Sequence, residues 1–196
     1  VMKKAIRELL ETIGLAILVF LALQISIQSK MVHGYSMEPT LEEGQRVLVN
    51  RLLYLHIDPQ GIPLVNWSRE EDLFLFHPPR HGEVVVFDFP KCHPERSCVK
   101  RIIGVAGDVI QIQKGKVYRN GSPMEEPFVT DLGNKSMEPL EVPEDAVFVL
   151  GDNRRPSNDS RNWGPLPLDS IVGRAWISYW PLSQWHILHS FSWLYR

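Results

Sequence analysis

Hydrophobic and polar positions divide the chain of 196 residues into two unlike parts. From Thr12 to Ser29 the run TIGLAILVFLALQISIQS carries no charge over 18 residues, within the ~17–25 a helix needs to cross a bilayer. Lys3, Lys4 and Arg7 stand ahead of it and Lys30 follows. A basic cluster before a span places the N-terminus on the cytoplasmic side, which puts everything beyond Lys30 outside. A cleaved signal peptide would need an A-x-A-like site, and Gln28, Lys30 and His33 are poor cleavage residues. A buried soluble helix is the other reading; the length and the basic flank favour a retained anchor. Residues 1–30 therefore read as a cytoplasmic N-terminus with a single transmembrane helix, and 31–196 as an extracytoplasmic domain.

Beyond the anchor the period changes from helical to strand-like. RVLVN (46–50), EVVVFDF (83–89), CVKRIIGV (98–105), DVIQIQ (108–113), KVYRN (116–120), AVFVLGD (146–152) and IVGRAWISYW (171–180) are short and rich in β-branched residues, as strands are. Asn120-Gly121 is a hairpin signal, and Gly104 and Gly107 bracket a tight connection. Prolines (15) outnumber glycines (13), which favours turns over long helices. The domain is expected to be mainly β, an irregular sandwich or barrel. Residues 55–82 fit no period and read as a long excursion between strands, with a turn of helix near Ser68–Asp72. The C-terminal region is aromatic: Trp176, Tyr179 and Trp180 are expected in the core. Past Pro181, QWHILHSFSWLYR has the Trp and Tyr content of a membrane interface.

Composition excludes little except nucleic acid, since a formal net charge of -2 offers no basic footprint. The two cysteines, Cys92 and Cys98, stand in KCHPERSCVK. A local disulfide suits an oxidising compartment. A zinc site using His93 would lack a fourth ligand and the usual spacing; two free thiols are the third possibility.

The letters SMEP occur twice, at Ser36 in GYSMEPTL and at Ser136 in KSMEPL. The flanks differ: one copy precedes the strand RVLVN, the other lies in a polar loop before AVFVLGD. A true repeat keeps its hydrophobic spacing on both sides, so the echo is chance. A nucleophilic serine needs a base. The seven histidines (33, 56, 77, 81, 93, 186, 189) read as surface or loop residues, and no G-x-S-x-G elbow exists. Alternation places Lys100 between Cys98 and Ile102 on one face of its strand. Burial would lower its pKa and let a neutral amine take a proton from a serine. Most strand lysines are solvated, so alternation alone favours a Lys100 that snorkels to water. Arg101, on the other face, needs an anion if buried. GDNRRPSNDSRNWG (151–164) supplies Asp152 and Asp159.

GYSMEPTL, CVKRIIGVAGD and GDNRRPSNDSRNWG, in that order behind one anchor and with HGEVVVFDFP and VYRNGSP between, closely resemble a type I signal peptidase, the membrane-bound Ser-Lys endopeptidase. The match covers nearly the whole chain. The resemblance implies that Ser36 is the nucleophile and Lys100 the general base, reversing the solvated reading. It implies that Ser157 hydrogen-bonds the lysine amine, and that Asp152, Arg154 and Asp159 form a scaffold with Arg101 as ion partner. Val32, Met37, Leu41 and Val99 are implied as walls of shallow pockets that admit small side chains one and three positions before the cut. Where relatives carry Ser two residues before the nucleophile, this chain has Gly34, so a backbone donor must hold the oxyanion. Arg155-Pro156 after GDNR and Cys98 before Lys100 are further departures.

The reaction implied is removal of N-terminal signal peptides from secreted preproteins after Ala-x-Ala-type sites, with no cofactor and no metal. The partners implied are preprotein signal peptides and the lipid bilayer, close to the secretion translocon. A bacterial plasma membrane is the expected location, a thylakoid or organelle membrane the alternative. A self-cleaving SOS-type repressor shares the Ser-Met pair and Lys base but lacks the span and the GDNR run. A membrane-tethered β-rich binding module, or an inactive relative, would make the Ser36/Lys100 pairing accidental.

Overall fold

A computed structural model describes residues 2–54, 56–57, 73–74 and 76–189. Helix α1 (Met2–Ser26) opens the chain. Its stretch Ile6–Ser26 has 21 residues, ~31 Å at 1.5 Å per residue, which matches the ~30 Å hydrocarbon layer. Its large apolar side chains are exposed all round; such a helix needs lipid to cover it. The charges sit in the first turns, where Lys4 faces Glu8 and Arg7 faces Glu11 at i,i+4 spacing. Helix ends at Ser26, and Ile27–Met31 is already strand β1. Three residues of the uncharged run thus belong to the sheet, because Ile27, Gln28 and Ser29 pair with Asn50, Val49 and Leu48. No linker separates anchor from domain.

The remaining strands are β2 (Arg46–Asn50), β3 (His56–Ile57), β4 (Leu73–Phe74), β5 (Val84–Phe87), β6 (Cys98–Gly104), β7 (Val109–Gln113), β8 (Lys116–Arg119), β9 (Ser122–Pro123), β10 (Met137–Glu141), β11 (Ala146–Leu150), β12 (Leu166–Pro167), β13 (Ile171–Trp180) and β14 (His186–Ile187); α2 (Ser160–Trp163) is one short turn. The main sheet runs β1-β2-β13-β5-β6-β11-β12 with β14 on β13, a second sheet runs β10-β7-β8-β9, and β3 pairs β4. The fold is mainly β, and all seven segments expected as strands are strands. The expected helical turn near Ser68–Asp72 lies outside the described residues.

The apolar run of β5 shows why the main sheet is buried on both faces. Val84 and Val86 enter one core with Val32, Met37 and Leu41, while Val85 and Phe87 enter another with Ile102, Val147 and Val149. A third core under the second sheet joins Ile103, Ile110, Ile112, Val117 and Phe148. Period-two alternation sends neighbouring residues to different cores. The β8–β9 turn has Asn120 and Gly121 at φ 52° and 79°, as a two-residue hairpin with Asn-Gly requires.

Two expectations need correction. The second SMEP segment is not a loop: Met137–Glu141 is β10, paired to β7 with an irregularity between Met137 and Leu140. Pro139 is tolerated because β10 is an edge strand. Ser136 accepts the Lys114 N–H at 3.0 Å and is structural. Nor are the β13 tryptophans core: Trp176 and Trp180 are 45% and 52% exposed. The buried positions of β13 are Gly173, Ala175 and Ser178, too small to need the aromatics inside. Trp176 and Trp180 stand out with Leu182, Trp185 and Ile187, also exposed. Phe191, Trp193 and Tyr195 lie outside the described residues.

Candidate active site

Following the chain through the main sheet, β1 to β2, β13, β5 and β6 are four antiparallel steps, so β1 and β6 run in the same direction. β11 pairs with β6 only from Arg101 onward, which leaves the outer edge of Cys98–Lys100 unpaired by strand. Val32–Met37, beyond the end of β1, faces that edge across a cavity of about 300 Å³, lined on one side by Val32, Gly34, Ser36 and Met37 and on the other by Cys98, Val99 and Lys100. Two facing backbone edges with an apolar floor can take an extended peptide as an added strand.

Lys100 Nζ donates to Ser36 Oγ at 2.6 Å and to the Val99 carbonyl at 3.0 Å. The lysine is 4% exposed. Burial lowers its pKa from 10.5 to about 8; Asp159 and Asp152 pull it back up, and Arg161 pushes it down. An amine that loses its proton this readily, held against a hydroxyl, is the arrangement a serine nucleophile needs; in its neutral form the amine accepts the Ser36 proton along the same contact. The histidines' bonds run elsewhere: His81 to Asp108, His77 to the Pro78 carbonyl, and His186 to the Thr40 and Gln184 carbonyls.

The 151–164 segment wraps behind this pair. The Asn153 N–H donates to the Ser36 carbonyl at 3.0 Å and fixes the backbone of that serine. Gly151 comes so close that a Cβ there would lie 2.3 Å from Ser157 Oγ and 2.5 Å from the Ser36 carbonyl oxygen; only glycine fits. Arg101 and Asp152, each 1% exposed, pair through two bonds of 2.9 and 2.6 Å, and Thr40 donates to Asp152 at 2.6 Å. The Arg101 guanidinium also lies 4.2 Å from the Phe128 ring centre. Asp159 caps α2 and binds Arg161, while its other oxygen accepts the Gly151 N–H at 3.1 Å.

The structure thus joins Ser36, Lys100, Gly34, Val32, Met37 and Val99 at one cleft and places Arg101, Asp152, Arg154 and Asp159 as a buried frame behind it. Leu41 lines no part of the cleft: its N–H bonds back to the Met37 carbonyl, and the turn carries it into the core below Val32 and Met37. Ser157 is buried beside Gly151, yet its hydroxyl makes no hydrogen bond among the described residues; Lys100 directs its donors to Ser36 and Val99 instead. Sequence reading missed Glu126, which forms a two-bond pair with Arg154, both nearly buried. Nothing in PMEEPF marks one glutamate over its neighbour. Asn158 was missed too; it donates to the Lys91 and Cys92 carbonyls. Cys92 and Cys98 form a disulfide, which settles the three alternatives.

The family model for signal peptidase, peptidase S26, matches residues 6–180. The chain is similar to a probable signal peptidase I-1 of Synechocystis, 33% identical over 188 residues, covering 95% of this chain and 89% of that protein. It is 36% identical over 159 residues to the chloroplastic thylakoidal processing peptidase 1 of Arabidopsis thaliana, covering 80% of this chain and 43% of the relative. A crystal structure of a signal peptidase I from Enterococcus faecalis aligns with 50% of this chain and 97% of its own at 28% identity and a TM-score of 0.43.

Proposed function

The chain belongs to the signal peptidase family, peptidase S26, a serine endopeptidase that removes signal peptides, and from that premise we propose that it does so with Ser36 as nucleophile and Lys100 as general base. The observation that carries the reading is the 2.6 Å contact between Lys100 Nζ and Ser36 Oγ, beside the edge of Cys98–Lys100 that β11 leaves unpaired.

In the proposed reaction the preprotein lies extended between the Val32–Ser36 and Cys98–Lys100 edges. Val32, Met37 and Val99 wall the space for small side chains. Neutral Lys100 takes the Ser36 proton as Oγ attacks the scissile carbonyl carbon. Negative charge gathers on the former carbonyl oxygen, where the Ser36 N–H is the backbone donor. The amine, now protonated, passes its proton to the leaving nitrogen and the C–N bond breaks. An acyl-enzyme remains, and Lys100 next activates water to hydrolyse it. In this reading Ser157, buried beside Gly151 and with no hydrogen bond to its hydroxyl among the described residues, takes a donor from protonated Lys100.

Membrane association follows from α1, which has the length and surface of a span. Basic residues ahead of it support a cytoplasmic N-terminus and a catalytic domain on the far side, near where preproteins emerge from the translocon. The exposed Trp176, Trp180 and Trp185 support a domain that rests its aromatic end on lipid headgroups. The test is cleavage of an Ala-x-Ala preprotein in detergent with a chelator present. Wild type should cleave, and Ser36→Ala and Lys100→Met should lose at least about 10³-fold, the scale of removing a member of a catalytic unit. Cleavage that survives Lys100→Met would refute the assignment.

A further inference from the structure

A second cavity, about 580 Å³, continues the cleft away from Ser36. The two cavities share four lining residues: His33 on the β1 side, and His93, Arg96 and Ser97 on the loop before β6. This junction holds one fixed positive charge, two imidazoles and a hydroxyl, and no carboxylate. Of these two cavities, Asp88 and Glu95 line the outer one alone, as does Lys30, whose Nζ donates to Ser97 Oγ at 3.0 Å.

The loop is built rather than slack. The Cys92–Cys98 disulfide closes it across a separation of 6 residues, and Asn158 of the frame holds its start through the Lys91 and Cys92 carbonyls at 2.9 and 3.2 Å. Arg96 is exposed and forms no ion pair among the described residues.

Resting on the reading above, the anchor fixes which part of the substrate meets this junction. A signal peptide leaves the bilayer beside α1 and must reach Ser36 in the direction of β1, from Ile27 towards Ser36. It passes Lys30–His33 first. Those residues lie three to six positions ahead of Ser36, and the chain bends at Gly34 (φ 77°) before it reaches the serine. An extended substrate advances ~3.3 Å per residue, so the occupant is the substrate stretch upstream of the small-residue positions, about four to six residues before the cut.

We propose that Arg96, with His33 opposite, makes this junction a subsite for a carboxylate side chain in that stretch, so that the enzyme discriminates among preproteins by charge upstream of the small-residue positions. Arg96 is a specificity residue here and takes no part in the chemistry.

The experiment uses the full chain in detergent and one Ala-x-Ala preprotein carrying Asp, Asn, Ala or Lys in turn at each of the three positions, with kcat/KM as readout. Wild type should prefer Asp over Lys about fivefold at one or more of them, the size of an exposed ion pair gained and a repulsion avoided. The ratio should shrink in about 0.5 M salt, where screening is strong. Arg96→Glu should invert the ratio and Arg96→Lys should keep its sign, the change appearing mainly in KM. Binding of the same peptides to Ser36→Ala should give the same order. Equal cleavage of all four by an active wild type overturns the subsite and leaves the peptidase reading intact. Failure to cleave any of them overturns both.

Discussion

Lys100 offers the sharpest test, because one substitution should move activity and stability in opposite directions. Burial lowers its pKa from 10.5 to about 8. At pH 7 an ordinary lysine is neutral in about one molecule in three thousand; at a pKa of about 8 the share is about one in ten, a gain of roughly three-hundredfold. For wild type, kcat/KM should rise about tenfold per pH unit below 7, bend near 8 and level off above about 9. The same displacement costs the folded state on the order of 3 kcal/mol at 1.36 kcal/mol per pKa unit. Below about pH 8 both folded and unfolded chains hold the proton, so the whole cost stands. Between about 8 and 10.5 only the unfolded chain holds it, and stability rises with pH; above 10.5 the cost is gone. Lys100→Met removes the buried charge at similar length. At pH 7 it should abolish cleavage yet raise the unfolding free energy by about 1–3 kcal/mol, and it should lose the wild-type gain between pH 8 and 10.5. Denaturant unfolding at pH 7 and 10, beside a pH–rate profile, reads both. A profile that bends near 6.5, or a Met variant less stable than wild type at pH 7, would refute the reasoning.

Two other perturbations reach the frame around Ser36 and Lys100, and a third reaches a separate buried carboxylate. Gly151→Ala brings a Cβ to 2.3 Å from Ser157 Oγ and 2.5 Å from the Ser36 carbonyl; it should cost about 1–3 kcal/mol of stability but about 10²-fold in kcat, as displacement of a reacting group does. Arg101→Met leaves Asp152 buried without its cation and should destabilise by about 3–5 kcal/mol in chemical denaturation. At Asp108, burial alone would raise the carboxyl, but bonds from His81, the Val105 N–H and Asn120 hold it at about 2. That stability is present above about pH 4 and lost as pH falls towards 2, so Asp108→Asn should remove at most about 2 kcal/mol at pH 7 and flatten the acid limb of the unfolding curve.

Strands with a continuous β-branched run were legible because backbone preference and burial agree there: VVVF and AVFVL are buried at every position. Met137–Glu141 was not, since Pro139 argues against a strand and only its place at a sheet edge admits it. Ile27–Met31 was hidden inside an uncharged run, where hydropathy cannot tell lipid-facing helix from paired strand. The tryptophans of β13 misled for a related reason. Large aromatics usually report a core, but which face of a strand is buried depends on its neighbours, and here Gly173, Ala175 and Ser178 meet them. Ser36 and Lys100 were legible only together with the ordered motifs of the family, since alternation gives a lysine's face and not its partner. Glu126, which neutralises Arg154 across 28 positions of sequence, has no local signature at all.

Lys100, the proposed base, is buried in the main sheet, and the topology explains how the fold holds it there. Lys100 comes at the last position of β6 before β11 joins, so its strand is held on one side by β5 and open on the other. One residue later Arg101 is locked to Asp152. That pair fixes the register of β6 from its opposite face, at the point where the open edge begins. The two carboxylates that would re-protonate Lys100, Asp152 and Asp159, are each already bound to an arginine. Their fields at Lys100 are thereby reduced, and burial is left as the dominant influence on the amine. If this is right, charge-neutral replacement of a whole pair should disturb the Lys100 pKa less than loss of one partner. Arg161→Met, which frees Asp159, should move the bend of the pH–rate profile above 8. Arg161→Met combined with Asp159→Asn should return it towards the wild-type position. A bend that stays near 8 in the single variant would show that the arginines hold the loop and do not shield the base.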